Sequence, residues 1–397
     1  MSSDSSLEQD WRDIAERFLG CGAELAPLLL SPGDPAQRAD ACQTIMSLLG
    51  CGYLNAFLTD PYHPRFTPIF NEGSNGAAPN GDTVYGYASL ADDGVYRIAG
   101  NRGTSRQCVL VLGSALFTMT DTLERMNDHI DIDDIPRSAD GEFEFILSAR
   151  RPDGYAGHWE ALPPRAGAVV VRHIACDWLR EQDAVLTIEC LNRPVQLPRA
   201  SVQEIMRRFD LVAPYPRRYV TPWQRWLLDM RAKGIVNRLR LNAMEETGGG
   251  LIHQAYYEGL FEVDADEVLI LQTEIPQRAF YWSVLLTDEL YRTIGYMDRQ
   301  STLNDVQARL DADGRFRAVI SATDPGVPNW LDTGGYTSGS IQGRWNKCSG
   351  SPLPEIKRVA LADLRRHLPP DTPHVTPAER EAILRQRLRG GQRRRRW

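Results

Sequence analysis

A long internal repeat limits what this chain can fold into more than any other feature. At a constant separation of 173 residues, Val95 aligns with Val268, Asp140-Gly141-x-Phe143 with Asp313-Gly314-x-Phe316, Ser148 with Ser321 and Pro152 with Pro325. After a gap of one or two residues, Trp159 meets Trp330 and Arg172 meets Arg344. The two blocks read as copies of one unit. Each Asp-Gly is turn chemistry, because glycine takes positive φ without steric cost, so those aspartates are expected to shape hairpins and not to catalyse.

The repeated residues sit among short runs that alternate or stay apolar between Gly, Pro and Asp. In the first half these are TVYGYASL, GVYRIAG, QCVLVLG, FEFILS, AVVVRHI and AVLTIECL; in the second, QAYYEGLFEV, EVLILQTE, FYWSVLLT, FRAVIS and SIQGRW. That pattern predicts antiparallel strands. Helical spacing places Trp11, Ile14, Phe18 and Leu25 on one face of residues 7–30, and Asp34 with Pro35 starts a second helix carrying Ala41, Ile45, Leu48 and Leu49. Ser201-x-x-Glu204 and Thr221-x-x-Gln224 are capping-box patterns that predict helices to about 209 and 246. Thr376-x-x-Glu379 opens a last helix, expected to dissolve at Gly390-Gly391. The expected fold is mainly β with helical additions: two repeated β-sandwich or jelly-roll-like units joined by a helical linker, with a helical N-terminal cap and a C-terminal helix. The expected divisions are 1–78 for the cap and its loop, 79–198 and 250–365 for the two units, 199–249 for the linker and 366–397 for the helix and basic tail.

Composition removes several function classes. With 397 residues, 42% of them hydrophobic, the chain can bury a large core and is not a disordered or fibrous sequence. It holds no run of about 18 apolar residues, so no membrane span is expected. The start MSSDSSLEQDW lacks a basic and then apolar leader, so a cytoplasmic location is expected. Seven scattered cysteines without C-x-x-C spacing fit reduced thiols. Residues 376–397 hold eight Arg and two Glu, net +6, which leaves −13 of the formal −7 for the rest of the chain. So acidic a body argues against nucleic-acid partners, and the Arg393–Arg396 run before Trp397 reads as a solvated end. No dinucleotide fingerprint, phosphate loop, zincin motif or nucleophile elbow occurs, and no organic cofactor or metal is expected.

Several polar segments could carry chemistry. Asn80-Gly-Asp82-Thr83-Val-Tyr85 enters the first strand and could bind a metal, accept substrate hydroxyls or simply form an Asx turn. Arg299-Gln300-Ser-Thr-Leu-Asn304-Asp-Val-Gln307 crowds donors and acceptors suited to an oxygenated ligand, or ties down its own loop. In Asp324-Pro-Gly-Val-Pro-Asn329-Trp330-Leu-Asp332, an indole beside a carboxylate could stack a ligand and move a proton, or Trp330 could plug the sandwich end. His253-Gln-Ala-Tyr256-Tyr257-Glu258 offers a titratable imidazole; read as a strand, it puts His253 and Tyr257 on one face. Asn127, His129, Asp131 and Asp133 alternate, but the acidic surroundings and Pro136 favour a polar loop over a ligand set.

The stretch RQSTLNDVQARLDADGRFRAVISATDPGVPNWLDTGGY, followed by Arg344-Trp345, closely resembles the bacterial DUF1214 family, often found fused to or alongside DUF1254. The resemblance is strong over about residues 250–365 and extends more weakly through Asn80–Tyr87 and DGYAGHWEALPPRAGAVVVRH, with Gly81 as an insertion in the family pattern. It implies paired jelly-roll-like units and no particular reaction. The leading expectation is an enzyme acting by acid/base hydrolysis, elimination or isomerisation on a small oxygenated, partly apolar metabolite such as a polyketide, terpenoid, steroid or glycoside. Asp332, Asp82 and His253 would be its acid/base groups. Asn304, Gln307, Asn329, Trp330, Arg299, Tyr85 and Tyr256 would bind substrate, with Arg344 opposite a developing oxyanion. The alternatives are a non-catalytic carbohydrate- or lipid-binding module, or a scaffold for a neighbouring enzyme; a second copy of the chain is a further candidate partner.

Overall fold

Hydrogen-bonded strands build two β units, and helices cover them. A computed structural model describes residues 5–31, 33–121, 126–242 and 250–394. Two helices come first, α1 (Ser5–Leu25) and α2 (Pro35–Phe57), the latter started by Asp34, whose carboxylate accepts from the Ala36 N–H at 2.9 Å. The first unit follows: β1 (Thr67–Ile69), β2 (Thr83–Ser89), β3 (Val95–Asn101), β4 (Gln107–Gly113), β5 (Met126–Asp131), β6 (Glu142–Ser148), β7 (Trp159–Ala161), β8 (Ala168–Ile174) and β9 (Val185–Cys190). Helices α3 (Val202–Val212) and α4 (Tyr215–Ala232) lead to the second unit. That unit comprises β10 (Arg240–Asn242), β11 (Gln254–Glu262), β12 (Glu267–Thr273), β13 (Tyr281–Thr287), β14 (Thr302–Asn304), β15 (Phe316–Ser321), β16 (Trp330–Asp332), β17 (Ser338–Asn346) and β18 (Glu355–Ala360). Helix α5 (Pro377–Arg393) ends the described chain, with a capping box between Thr376 and Glu379.

Among the described residues the strands form four sheets, and the repeat is visible in their order. The first unit has β1-β2-β8-β4-β5 over β7-β6-β3-β9; the second has β10-β11-β17-β13-β14 over β16-β15-β12-β18. Register repeats as well. Ile146 pairs with Trp159 and Val319 with Trp330, both in parallel ladders, while Arg172 faces Tyr85 and Arg344 faces Tyr256. Gly141 and Gly314 turn at φ 83° and 75°, as the paired Asp-Gly sequences require. The parallel β6–β7 and β15–β16 pairs depart from the all-antiparallel expectation.

Each unit closes its sandwich with side chains that alternate inward. Leu110, Leu112, Val169 and Val171 meet Tyr96, Ile98, Phe145 and Leu147 in the first; Trp282, Val284, Ile341 and Trp345 meet Leu269, Leu271, Phe316 and Ile320 in the second. The other faces of the two larger sheets are also covered. Val109, Val111, Val170 and Ile174 join Tyr215 and Tyr219 of α4, Leu48 of α2 and Tyr281 of the second unit, and Leu260 and Leu285 pack on Leu227 and Met230 of α4. The two halves therefore meet through the second faces of their larger sheets, around α2 and α4.

Several expectations need correction. Thr221 does not cap a helix: α4 starts six residues earlier, because Pro216 suits a first turn and the buried Tyr215 and Tyr219 anchor it, so Pro222 lies inside the helix. That helix ends at Ala232, and residues 240–242, expected as helix, form edge strand β10. Trp11 points outward at 61% exposure, while Ile14, Cys21 and Leu25 form the buried face of α1. The Asn127–Asp131 segment is strand β5 and not a loop, with Asp131 held by Lys347 and Asp133 by Arg102. Among the described residues no group of acidic, His or Cys side chains is placed to hold a metal, and no helix is long and apolar enough to cross a membrane. Helix α5 runs through Gly390-Gly391 to Arg393, and Arg394 is buried; residues 395–397 of the basic tail lie outside the described residues.

Candidate functional site between the two larger sheets

Five of the polar residues singled out in sequence, Asp82, Tyr85, Tyr256, Asn304 and Arg344, gather where the two units meet. Asp82 precedes β2, at the end of an Asx turn in which its own N–H donates to Asn80 Oδ1 at 3.2 Å. Its carboxylate is 1% exposed as a residue and accepts from three donors: Asn304 Nδ2 at 2.7 Å and Trp178 Nε1 at 2.9 Å on one oxygen, and Tyr281 Oη at 2.8 Å on the other. Asn304 and Tyr281 belong to the second unit, so this carboxylate joins the halves. Burial raises its proton affinity above the usual aspartate range, against the opposing effect of its donors and of the Arg387 charge.

From Asp82 the hydrogen bonds continue to a cation. Tyr281 Oη lies 2.8 Å from Ser283 Oγ and also accepts from Asn80 Nδ2 at 2.7 Å. A phenol carries one hydrogen; with that hydrogen on Asp82, the Ser283 hydroxyl donates to Tyr281. Ser283 Oγ in turn accepts from Arg344 Nη1 at 3.1 Å. Arg344 also donates to Gln342 Oε1 at 2.8 Å, and its guanidinium lies 5.7 Å from the centre of the Tyr256 ring. Burial, and after it the Asp82 charge, push the Tyr281 phenol far above its ordinary value, so it keeps its proton at neutral pH.

Arg344 is 5% exposed, and its hydrogen-bond partners among the described residues are neutral. Burial works against its charge, while Tyr281, Tyr256, Tyr85 and Asp82 nearby favour it, and the guanidinium stays protonated. Two of its five N–H bonds go to Ser283 and Gln342. Tyr85 of the first unit lies near it; Tyr85 and its cross-strand neighbour Arg172 keep partial solvent exposure, although Tyr87, Val170 and Ile174 on the same face are buried.

The remaining sequence candidates lie elsewhere. Asp332 is buried, its carboxylate taken by the Gly334 N–H at 2.7 Å and by Arg299 Nη1 at 3.1 Å; it does not meet Asp82 or Asn304. Arg299 and Gly334 line a recess of about 330 Å³ with Arg292 and Tyr336, so Asp332 sits one layer beneath its wall. Asn329 is structural: its amide donates to the Arg309 and Arg317 carbonyls at 2.6 and 2.8 Å and accepts from the Arg309 N–H. Trp330 is the plug, its N–H on the Ser321 carbonyl at 3.0 Å and the Arg380 guanidinium 5.1 Å from its ring centre. Gln307 accepts from Arg387 at 2.9 Å. His253 is not on a strand: it turns at φ 60° just before β11, exposed, with its carbonyl accepting from the Lys347 N–H. Glu258, its near neighbour in sequence, is buried on the opposite side and held by Trp226, Arg240 and Asn242.

Tyr281, Ser283, Trp178 and the C-terminal arginines were missed in sequence. The usable signal was small: one serine inside the apolar run FYWSVLLT.

A histidine next to this centre gives the fold a pH dependence. His173 of β8 is buried beside Cys108, 3.5 Å from Nδ1 to Sγ, and burial lowers its pKa to about 4. Between that value and the ordinary 6.5 the unfolded chain binds more protons, so stability is lost as pH falls through this window, on the order of 3 kcal/mol in total. Urea midpoints of His173→Gln should fall less than those of the unsubstituted protein between pH 7 and pH 4; parallel curves would contradict this.

Comparison with one solved structure agrees with this architecture. The chain is similar, at TM-score 0.82 and 25% identity, to the crystal structure of an uncharacterized protein from Burkholderia cenocepacia, over 89% of this chain and 97% of that one. It is more distantly similar to the VPA0106 protein from Vibrio parahaemolyticus, at TM-score 0.48 and 14% identity, over 81% of this chain and 98% of that one. No curated protein matches it. Residues 262–340, from the end of β11 into β17 of the second β unit, match the family model DUF1214, described as a protein of unknown function.

Proposed function

We propose that the protein is an acid/base enzyme acting on a small oxygenated, partly apolar molecule that carries, or develops in reaction, a negative charge. The observation that carries this reading is the chain Arg344–Ser283–Tyr281–Asp82, a buried cation linked through two hydroxyls to a carboxylate of raised proton affinity. A buried charge ordinarily has an opposite charge beside it, and an arginine cannot relieve burial by losing its proton. Arg344 supplies N–H donors for a substrate oxyanion, while the hydroxyls of Ser283 and Tyr281 pass a proton toward or from Asp82. Tyr85 and Tyr256 offer ring faces to the apolar part. Asp332, pinned by Gly334 and Arg299, holds its place in the loop and has no part in this chemistry.

One observation favours recognition without turnover: three protein donors already occupy the Asp82 carboxylate. Incubation with a panel of small hydroxy- and keto-carboxylates, read by mass spectrometry, separates the two. The proposal expects a product whose rate falls at least 100-fold in Arg344→Gln, with the fold intact by circular dichroism. Saturable binding with no product over long incubation would replace the enzyme by a binding protein.

A further inference from the structure

Helix α5 docks with arginines where a helix ordinarily presents leucines. Its buried residues are Arg380, Arg387, Gly390 and Gly391, whereas Ile383 and Leu388 remain 37% and 38% exposed. With Arg394 just beyond it, arginines recur every seven residues and so follow one side of the helix.

Each guanidinium has a built seat. Arg380 pairs with Asp324 at 2.9 Å, donates to Gln300 Oε1 at 2.9 Å and covers Trp330. Arg387 lies 4.5 Å from the centre of the Trp178 ring and donates to the Tyr296 carbonyl at 2.6 Å, to Gln307 and to Thr302 Oγ1. Arg394 pairs with Asp183 at 2.6 Å and donates to the Asp82 carbonyl at 2.7 Å and the His173 carbonyl at 2.9 Å. Gly390 and Gly391 admit the close approach: a Cβ on either would stand 2.9 Å from Trp178 Cβ or 2.6 Å from Met297 Cγ.

These seats converge on the groups that hold Asp82. Trp178, a donor to its carboxylate, lies beneath Arg387 and Gly390. Asn304, another donor, accepts from the Gln307 N–H at 2.9 Å, and Gln307 is held by Arg387. The Asp82 backbone itself is held by Arg394. We infer that α5 is a reversibly docked clasp, set across both units, whose docking orders the Asp82 centre. A helix held by ion pairs and hydrogen bonds, with few aliphatic side chains buried, leaves no apolar stripe of its own in water when it lifts. Undocking is therefore a local opening and does not require the sandwiches to unfold.

The inference rests on the proposed use of the Asp82 centre for its functional meaning, but its test needs no ligand. Hydrogen exchange read by mass spectrometry on the full chain should show α5 amides exchanging at least 10-fold faster than those of β12 and β15. In Arg387→Gln and Arg394→Gln, exchange should rise at least 10-fold further in α5, in 80–84 and in 302–307, with β12 and β15 unchanged, whereas exposed Arg389→Gln should match the unsubstituted protein. Exchange of α5 at the rate of β12 and β15 in the unsubstituted protein would overturn the clasp even where a variant fails to fold. Acceleration confined to α5 would overturn its link to Asp82. A failure of anions to bind at Arg344 would leave all these rates as they are, so the two proposals fail separately.

Discussion

Asp82→Leu should destabilise the protein by about 3–5 kcal/mol, the range for removing one partner of a buried charged network, whereas Asp82→Asn should cost no more than ~2 kcal/mol. Leucine takes away the acceptor shared by Asn304, Trp178 and Tyr281 and leaves three donors in a closed site. An amide keeps one oxygen for Asn304 and Trp178, and its NH2 can donate to Tyr281, whose own hydrogen then turns to Ser283. Fold retained with chemistry lost is thus the expected outcome for Asp82→Asn, since its side chain no longer takes up a proton. Denaturant unfolding of the three proteins checks the stability order; equal losses for the two substitutions would mean that the carboxylate is not the hub of the inter-unit network.

The second large effect lies away from the site. Trp345→Ala should cost about 3–5 kcal/mol, as for other large-to-small changes in a closed core. Trp345 is 1% exposed between the second unit's sheets, with ring centres of Tyr257 and Trp282 at 6.0 and 6.1 Å and its N–H on the Pro352 carbonyl at 3.1 Å. Trp11→Ala, at an exposed position of α1, should stay within ~0.5 kcal/mol. Comparable losses at the two tryptophans would contradict the assignment of the second core.

What could be read from sequence follows from which features are local. The repeat was legible because turns and strand alternation are short-range, and the pairs Ile146–Trp159 and Val319–Trp330 place it in the hydrogen-bond register. Asp82, Asn304 and Arg344 stood out as polar residues in or beside strand runs, yet their convergence depends on how two sheets meet, which spacing along the chain does not encode. The Asn329–Asp332 segment differs: its amide, indole and carboxylate are engaged by the backbone of Arg309, Arg317, Ser321 and Gly334 and by Arg299, and a polar cluster tied to its surrounding backbone has the same letters as a binding site. The C-terminal arginines read as a solvated run because charge usually seeks water. Here each planar guanidinium of the clasp finds an indole or a row of carbonyls, and Gly390-Gly391, read as a helix end, instead allows close packing against Trp178 and Met297.

The placement of the site at Arg344 is tested most directly by the guanidinium ¹⁵N resonances of the full chain, with the Arg344 signal assigned by its loss in Arg344→Lys, during titration with small hydroxy- and keto-carboxylates. A saturable shift of the Arg344 signal, with those of Arg292 and Arg299 unmoved, is the predicted result. A shift of the Arg292 and Arg299 signals with Arg344 silent would move the ligand to the open recess beside α2 and contradict the account.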